Sequence, residues 1–142
     1  MTTNSKIALV TGGSRGLGKS MAIALAKKGL NVIITYHSRS EEAKEVVNEI
    51  EKLGQKAAAL QLDVADYTSF DGFTDQVKST LQTIFQTDKI DFLVNNAGVG
   101  AHASFGDTTV EQFDNMVNIH LKAPFFLTQK LLPQFNDGGW IS

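Results

Sequence analysis

The residues best placed for chemistry in this sequence form a glycine-rich segment near its start. The segment reads Thr11-Gly12-Gly13-Ser14-Arg15-Gly16-Leu17-Gly18-Lys19-Ser20 and lies between a short apolar run and an amphipathic stretch. Its glycines at positions 12, 16 and 18 are spaced G-x-x-x-G-x-G. This spacing permits a tight turn and lets a pyrophosphate approach the N–H groups at the start of a helix. The segment therefore predicts a loop that binds the phosphates of a dinucleotide.

The same ten residues also satisfy two other motifs. In a P-loop, backbone N–H groups hold phosphates while a lysine and a hydroxyl reach the terminal phosphate and its magnesium, and this pattern is met by Gly13, Gly18, Lys19 and Ser20. The G-x-S-x-G pattern of a nucleophile elbow is met by residues 12–16. All three motifs need a strand before the loop and a helix after it, so the loop alone does not decide between them.

The rest of the chain favours the dinucleotide loop. A P-loop enzyme needs a second apolar strand that ends in Asp, and the candidate, Leu60-Gln61-Leu62-Asp63, is interrupted by Gln61. A nucleophile elbow usually follows several strands, whereas only one apolar run precedes Ser14. A tight turn without a ligand is the remaining alternative. Three glycines with an added Ser and Arg at the start of a helix argue against it.

Short apolar runs alternate with longer amphipathic stretches along the whole chain. The runs cover residues 7–10, 32–34, 57–62 and 90–94, with a fragment at 140–141. Apolar runs of this length, separated by segments of helical period, are typical of βαβ units around a parallel sheet buried on both faces. The sequence therefore predicts one α/β domain over residues 1–142, with a doubly wound parallel sheet, helices on both faces and an end in the fifth strand.

Four helices are expected between these strands. Apolar stripes at three- and four-residue spacing are Leu17, Met21 and Leu25 in the first, Ala43, Val46, Val47, Ile50 and Leu53 in the second, and Phe70, Phe73, Val77, Leu81 and Ile84 in the third. The fourth helix opens with Thr109-Val110-Glu111-Gln112, which has the spacing of a capping box. Pro124 should kink this helix because proline lacks the N–H that continues the hydrogen-bond ladder.

The composition excludes several classes of protein. The 142 residues are 42% hydrophobic, and 13 Lys and Arg against 15 Asp and Glu give a formal net charge of −2. This near-balance offers no basic field for nucleic acid. The absence of cysteine removes disulfides and Cys-ligated zinc, and three scattered histidines give no metal site. The first apolar run is too short for a signal peptide or a membrane span, so a soluble cytoplasmic protein without membrane contact is expected.

Two further motifs follow the glycine loop in a fixed order. Asp63-Val64 comes after the third apolar run, and Asn95-Asn96-Ala97-Gly98 comes after the fourth. With Thr-Gly-x-x-x-Gly-x-Gly at residues 11–18, the chain resembles the short-chain dehydrogenase/reductase family over essentially its whole length. The resemblance implies a Rossmann fold and NAD(P)-linked oxidation or reduction of a small alcohol or carbonyl substrate.

The resemblance also assigns roles to individual residues. The pyrophosphate would be wrapped by Gly12, Ser14, Gly16, Leu17 and Gly18, the adenine would meet Asp63 and Val64, and the adenosine ribose would be lined by Asn95, Ala97 and Gly98. These last three residues would also support the sheet. Asp63 and Asn95-Asn96 have a structural alternative as turn residues, since Asx side chains favour such positions.

NADP is expected rather than NAD. A preference for NAD depends on an acidic residue at the end of the second strand, which binds the ribose hydroxyls. This chain has Thr35-Tyr36-His37-Ser38-Arg39 there, with no carboxylate before Glu41. Cofactor contacts are therefore predicted for Tyr36, for Arg15 and Arg39 as a clamp on a 2′-phosphate, and for Ser38 as a donor to it. The alternative for each arginine is a solvated surface side chain.

The catalytic residues of the family are expected beyond residue 142. The family uses a Ser, a Tyr and a Lys four residues after the Tyr, but here neither Tyr36 nor Tyr67 is followed by Lys at that spacing. His120 occupies the position of the family's Asn in the fourth helix. It is the one catalytic candidate, with a buried structural histidine as the alternative. The chain alone should be inactive. The alternative function is a non-catalytic dinucleotide-binding or regulatory module, and a third is a P-loop phosphotransferase.

Self-association is also expected. The fourth helix carries more apolar residues than one core face can bury, namely Phe125, Phe126, Leu131 and Leu132. In the family this helix commonly packs against its counterpart in another subunit. An end at Ser142 would leave a sheet edge unpaired. A homo-oligomer is therefore predicted.

Overall fold

The computed structural model describes residues 6–97 and 105–142. Its strands are β1 (Ile7–Val10), β2 (Asn31–Tyr36), β3 (Ala57–Gln61), β4 (Ile90–Val94) and β5 (Phe135–Ile141). Its α-helices are α1 (Gly16–Lys27), α2 (Ser40–Lys52), α3 (Phe70–Ile84), α4 (Val110–Val117) and α5 (Ala123–Leu131). A π turn at Asn118–Lys122 joins α4 to α5, and short 3₁₀ turns lie at Tyr67–Ser69, Phe105–Asp107 and Leu132–Gln134.

The five strands form one parallel sheet in the order β3-β2-β1-β4-β5. The chain first builds outward from β1 through β2 to β3, and then returns to add β4 and β5 on the other side of β1. This reversal leaves a crevice at the carboxyl ends of β1 and β4, where ligands bind in open parallel sheets. The predicted doubly wound α/β fold is confirmed.

Helices cover both faces of the sheet, and alternate residues of the strands face different helices. On β2, Ile33 packs in the cluster that α3 and α5 cover, whereas Val32 and Ile34 pack in the cluster that α1 and α2 cover. These three side chains are fully buried. Because both faces are covered, the strands consist of continuous apolar runs rather than alternating ones.

The buried face of α1 differs from the predicted stripe. Gly18, Ala22 and Ala26 are buried, whereas Leu17 is 70% exposed and Met21 and Leu25 are only partly buried. The buried face of α1 therefore consists of small residues, and at Gly18 a side chain would collide with the Gly12 carbonyl. In the second and third helices the predicted stripes are buried except for their last members and Val47, since Leu53 and Ile84 are about two-fifths exposed.

The fourth predicted helix is long and irregular. Thr109 accepts the N–H of Gln112 at 3.1 Å and the Gln112 side chain accepts the N–H of Thr109 at 2.9 Å, so the capping box is confirmed. The kink predicted at Pro124 is not what the structure describes: the helical ladder is irregular over the π turn Asn118–Lys122, and Pro124 lies in the first turn of α5. Lys130 on α5 lies 2.7 Å from Asp71 on α3, and this hydrogen bond raises the pKa of Lys130.

The last strand begins at Phe135, five residues before the apolar fragment at 140–141 that predicts it. Ser142 continues its pairing with β4, because its N–H donates to Leu93 and its carbonyl accepts from Asn95, both at 2.8 Å. Of the four apolar residues singled out on the fourth helix, Leu131 is buried and Phe126 is partly buried, while Phe125 and Leu132 are more than half exposed. Among the described residues, none of the helices combines the length and apolar character that crossing a bilayer requires.

Candidate cofactor site

A cleft of about 560 Å³ lies at the carboxyl edge of the sheet, where the fold predicts a ligand site. It is bounded by the start of α1, the ends of β2, β3 and β4, and one face of α4 and the π turn. Its lining residues are Gly12, Ser14, Arg15, Gly16, Thr35, Tyr36, His37, Leu62, Asp63, Val64, Ala65, Asn96, Ala97, Asn115 and Ile119.

The glycine loop forms one wall of the cleft. Gly12 and Gly16 have φ values of +67° and +59°, in the left-handed region that glycine adopts without a steric penalty. The N–H of Gly12 donates to the hydroxyl of Thr35 at 3.0 Å, and the N–H of Gly13 donates to the Thr35 carbonyl at 3.1 Å. These bonds fix the loop against the end of β2.

Gly18 lets α1 approach this loop closely. A Cβ atom at Gly18 would lie 2.1 Å from the carbonyl oxygen of Gly12 and 2.4 Å from Nδ2 of Asn96. That amide donates to the same carbonyl oxygen at 3.3 Å. Any side chain at Gly18 would therefore push the helix away from the loop and break the contact between the ends of β1 and β4.

The first turn of α1 is open toward the cleft. Arg15, the N-cap residue, makes no side-chain cap hydrogen bond, and the first turn contains no acidic residue. The first helical hydrogen bond runs from the Lys19 N–H to the Arg15 carbonyl at 3.2 Å. The N–H groups of residues 16–18 therefore have no intrahelical acceptor, and the positive end of the helix dipole lies where an anion is stabilised.

Thr11 is a structural residue of the site to which the sequence analysis gave no role. Its buried hydroxyl accepts the N–H groups of Asn96 and Ala97 at 2.9 and 3.0 Å. Its own N–H donates to Val94 at 3.0 Å. One threonine thus ties the loop after β1 to the loop after β4. The signal for this role was its place before the first glycine of the motif.

The far end of the cleft lies at the ends of β2 and β3. Asp63 Oδ1 accepts the N–H of Ala65 at 2.9 Å, which is an Asx turn, while its Oδ2 lies 3.7 Å from Nε2 of His37. The carbonyl of His37 accepts a hydrogen bond from the Gln61 side chain at 2.9 Å. Asp63 is therefore both a turn residue and part of the cleft wall.

The structure brings together about half of the predicted site residues. Those that line the cleft are Gly12, Ser14, Arg15, Gly16, Tyr36, Asp63, Val64 and Ala97. Those in the described part of the chain that do not line it are Leu17, Gly18, Ser38, Arg39, Asn95 and His120. Gly98 lies outside the described residues.

Four of the six described residues away from the lining have other surroundings. The side chain of Leu17 extends into solvent, and the guanidinium of Arg39 lies 3.5 Å from the carboxylate of Glu42. Asn95 is directed at α5, with its Nδ2 3.5 Å from the hydroxyl of Thr128. His120 is an exposed residue of the π turn, which contradicts the alternative of a buried histidine.

Several lining residues were missed by the sequence analysis. Thr35 and His37 belong to the segment that predicts the preference for NADP, but no cofactor contact was predicted for either residue. Asn115 and Ile119 face the cleft from α4 and the π turn. The only sequence signal for Asn115 and Ile119 was that they lie four residues apart.

In the P-loop alternative, Lys19 would have to lie over the glycine loop. Lys19 Nζ lies 3.7 Å from the carboxylate of Glu49 on α2, so this ammonium is directed at a neighbouring helix rather than back over the loop. Within the described ranges, no group of three or more His, Asp or Glu residues is arranged to hold a metal ion.

A parallel sheet with this strand order, a glycine loop that leads into an open helix N-terminus, and a cleft at the point of strand reversal define a Rossmann-type nucleotide-binding domain. Within that class the match is specific. The profile of the family described as short chain dehydrogenase covers residues 6–141, and the chain belongs to this family.

Similar proteins include enzymes and structures that hold NADP. The chain is 41% identical over 127 residues to the short-chain dehydrogenase/reductase FrzI of a Cladobotryum species, covering 89% of this chain and 47% of that protein. The structure of a short chain dehydrogenase from Burkholderia cenocepacia in complex with NADP is 38% identical, with a TM-score of 0.85, over 96% of this chain and 53% of that one. The angucycline C-6 ketoreductase LanV with bound NADP is 37% identical, with a TM-score of 0.91, over the same shares. The chain thus spans about half the length of these relatives.

Proposed function

We propose that this chain is the cofactor-binding part of an NADP-dependent oxidoreductase that transfers hydride between nicotinamide and a small alcohol or carbonyl substrate. The observation that carries the proposal is the fit of the cleft to a pyrophosphate. The glycine loop, held by Thr35, meets the open first turn of α1, and a Cβ at Gly18 would destroy that contact. NADP-bound relatives of the same fold support this assignment.

The roles of the residues follow from their places in the cleft. The N–H groups at the start of α1 and the loop at Gly12 and Gly16 would hold the pyrophosphate, with Ser14 as a further donor. Asp63 Oδ2 would accept from the adenine amino group, since its Oδ1 is already used in the Asx turn. Val64 and Ala97 would pack against the adenosine.

The charges at the end of β2 favour NADP over NAD. Residues 35–40 contain no carboxylate that could bind the ribose hydroxyls. Arg15 is exposed and lines the cleft, so its guanidinium is available to a 2′-phosphate. Arg39 and Ser38 remain predicted contacts, and Arg39 would first have to leave Glu42.

Catalysis in the whole protein would use groups outside this cleft. NADP would supply the hydride, and Ser, Tyr and Lys residues for proton transfer are expected after residue 142. His120 stays the one proposed catalytic residue within this chain. The similarity to LanV, a ketoreductase, favours a ketone substrate. The cytoplasmic location and the homo-oligomer stay predictions. The alternative function is a nucleotide-binding or regulatory module without catalysis.

Titrations of the protein with NADPH and NADH, followed by the change in nicotinamide fluorescence, test the proposal. NADPH should bind more tightly than NADH. Arg15→Ala should weaken NADPH binding about tenfold and leave NADH binding nearly unchanged, because a charge-assisted hydrogen bond to the 2′-phosphate is lost.

Lys19→Ala is the matched control, since it removes a neighbouring cation that is directed at Glu49. It should leave both dissociation constants unchanged. Equal affinities for the two cofactors, or an equal loss of both in Arg15→Ala, would contradict the NADP assignment. Tight ATP binding that Lys19→Ala abolishes would support the P-loop alternative instead.

A further inference from the structure

The turn at residues 63–69, which follows β3, is closed by its own hydrogen bonds. The Asp66 N–H donates to the Asp63 carbonyl at 3.0 Å, and Oδ1 of Asp66 accepts the N–H of Thr68 at 3.1 Å. The Asx turn of Asp63 adds a further bond. Because these bonds join the whole turn, a displacement of one of its residues is passed on to the predicted cofactor residues Asp63 and Val64.

Tyr67 lies in this turn and packs against the long fourth helix. Its ring meets that of Phe126 on α5 edge to face, with the two ring centroids 5.2 Å apart. Nζ of Lys122, the last residue of the π turn, lies 5.3 Å from the centroid of the Tyr67 ring, and Nζ of Lys130 lies 5.8 Å from it. Lys130 is also held by Asp71 at 2.7 Å. Ring pairs of this geometry and cations over an aromatic face attract each other, so Tyr67 joins the turn after β3 to the π turn and α5.

The contacts of Tyr67 lie close in sequence to two residues on different walls of the cleft. Val64 comes three residues before Tyr67, and Ile119 comes three residues before Lys122. Val64 and Ile119 both line the cofactor cleft and a small cavity that adjoins it. Val64 belongs to the hydrogen-bonded turn, and Ile119 is buried in the same π turn as Lys122. The place where Tyr67 contacts the helix therefore sets the separation of these two walls.

We propose that Tyr67 is a positioning residue for the cofactor, which fixes the distance between the turn that carries Val64 and the π turn that carries Ile119. This inference rests on the proposed function, in which Val64 packs against the adenosine. A wider cleft would leave apolar surface of the adenosine in water and weaken binding. NADPH and NADH both carry the adenosine, so Tyr67 affects the two affinities equally, unlike a residue that contacts the 2′-phosphate.

The test measures the dissociation constants of NADPH and NADH for the wild type and its variants. Tyr67→Ala removes the ring and should weaken the binding of both cofactors about tenfold, which leaves the ratio of the two constants unchanged. Tyr67→Phe keeps the ring and its contacts, so both constants should stay within about twofold of the wild type. Ile84→Ala is the matched control, because Ile84 has the same exposed fraction of 40%, lies at the far end of α3 and does not line the cleft. This control should leave both constants unchanged.

A further variant tests the same contact from α5. Phe126→Leu keeps an apolar side chain against the core but removes the ring pair with Tyr67. It should weaken the binding of both cofactors about threefold. The protein with both Tyr67→Ala and Phe126→Leu should bind no more weakly than Tyr67→Ala alone, because the two residues act through one contact.

The outcomes separate the inference from the proposed function. If Tyr67→Ala binds both cofactors as the wild type does, or if Tyr67→Phe or Ile84→Ala loses as much affinity, the positioning role of Tyr67 is overturned while NADPH binding stands. Full additivity with Phe126→Leu overturns it as well. If the wild type binds neither cofactor, the proposed function itself fails. Circular dichroism shows whether each variant is folded; should Tyr67→Ala not fold, unchanged affinities in Phe126→Leu overturn the inference.

Discussion

At the residue scale, the site depends on the absence of a side chain at Gly18 as much as on the groups that are present. Gly18 has no Cβ, and the space this leaves is occupied by the Gly12 carbonyl and the amide of Asn96. The loop and the helix can therefore meet at a distance that brings backbone N–H groups to a bound phosphate. The same contact links the ends of β1 and β4. Gly18 is therefore required both for the shape of the cofactor loop and for the packing of these two strands.

Gly18→Ala should therefore damage both stability and cofactor binding. The new methyl group would lie 2.1 Å from the Gly12 oxygen, and backbone atoms must move to relieve the contact. We expect a loss of about 1–3 kcal/mol in the free energy of unfolding, typical of overpacking. NADPH affinity should fall at least tenfold. Urea denaturation and fluorescence titration measure the two effects.

Gly72→Ala provides the matched control within α3. A Cβ there meets no atom within 4 Å, and the residue is in a helix. The substitution should leave NADPH affinity unchanged and raise the free energy of unfolding by about 0.5 kcal/mol, because alanine favours the helix. Equal behaviour of the two variants would show that the close approach at Gly18 is not required.

The sequence could predict the glycines of the site and two of its charged residues, Arg15 and Asp63, but not which side chain of residues 37–39 lines the cleft. The spacing of Gly12, Gly16 and Gly18 carries the information, since backbone conformation and close approach restrict those positions to glycine. Arg39 and His37 lie two residues apart, and side-chain direction decides which of them faces the cleft. Arg39 is paired with Glu42, three residues later, an i,i+3 contact to which the sequence prediction gave no weight.

At the element scale, helix α1 shows why apolar spacing alone misplaces a buried face. Leu17, Met21 and Leu25 are spaced by four and predict a stripe, yet the buried residues one position later are Gly18, Ala22 and Ala26. The buried residues of α1 are thus its small ones, whereas in α2 and α3 most of each predicted apolar stripe is buried.

The capping box of α4 is an element that the sequence predicted in atomic detail. Thr109→Ala removes the hydroxyl that accepts the Gln112 N–H and should lower the free energy of unfolding by about 1 kcal/mol. Thr109→Ser keeps the acceptor and should restore most of that loss. Chemical denaturation of the three proteins measures the difference. A threonine-to-serine change as harmful as the change to alanine would mean that the hydroxyl is not what stabilises the helix.

At the scale of the whole molecule, the strand order sets both the faces that the helices cover and the position of the site. Right-handed crossovers place α1 and α2 on one face and α3 and α5 on the other. The reversal at β1 then opens the crevice that the glycine loop occupies. The sequence could predict a doubly wound parallel sheet because a helical segment separates each apolar run from the next. It could not predict Asn115 or Ile119 in the cleft wall, because their position depends on how α4 and the π turn return to the sheet.

The outer surface of the long fourth helix leads to the last prediction. Phe113, Leu121 and Phe125 are each more than 60% exposed, an apolar surface that favours association between copies. Phe125→Glu should weaken self-association at least tenfold in sedimentation velocity, because each copy loses a large apolar contact and gains a charge. Gln129→Glu, one turn further along α5, adds the same charge at an exposed polar position and should have little effect. A wild-type protein that sediments as a monomer at all concentrations, or equal effects of the two variants, would refute the predicted homo-oligomer contact.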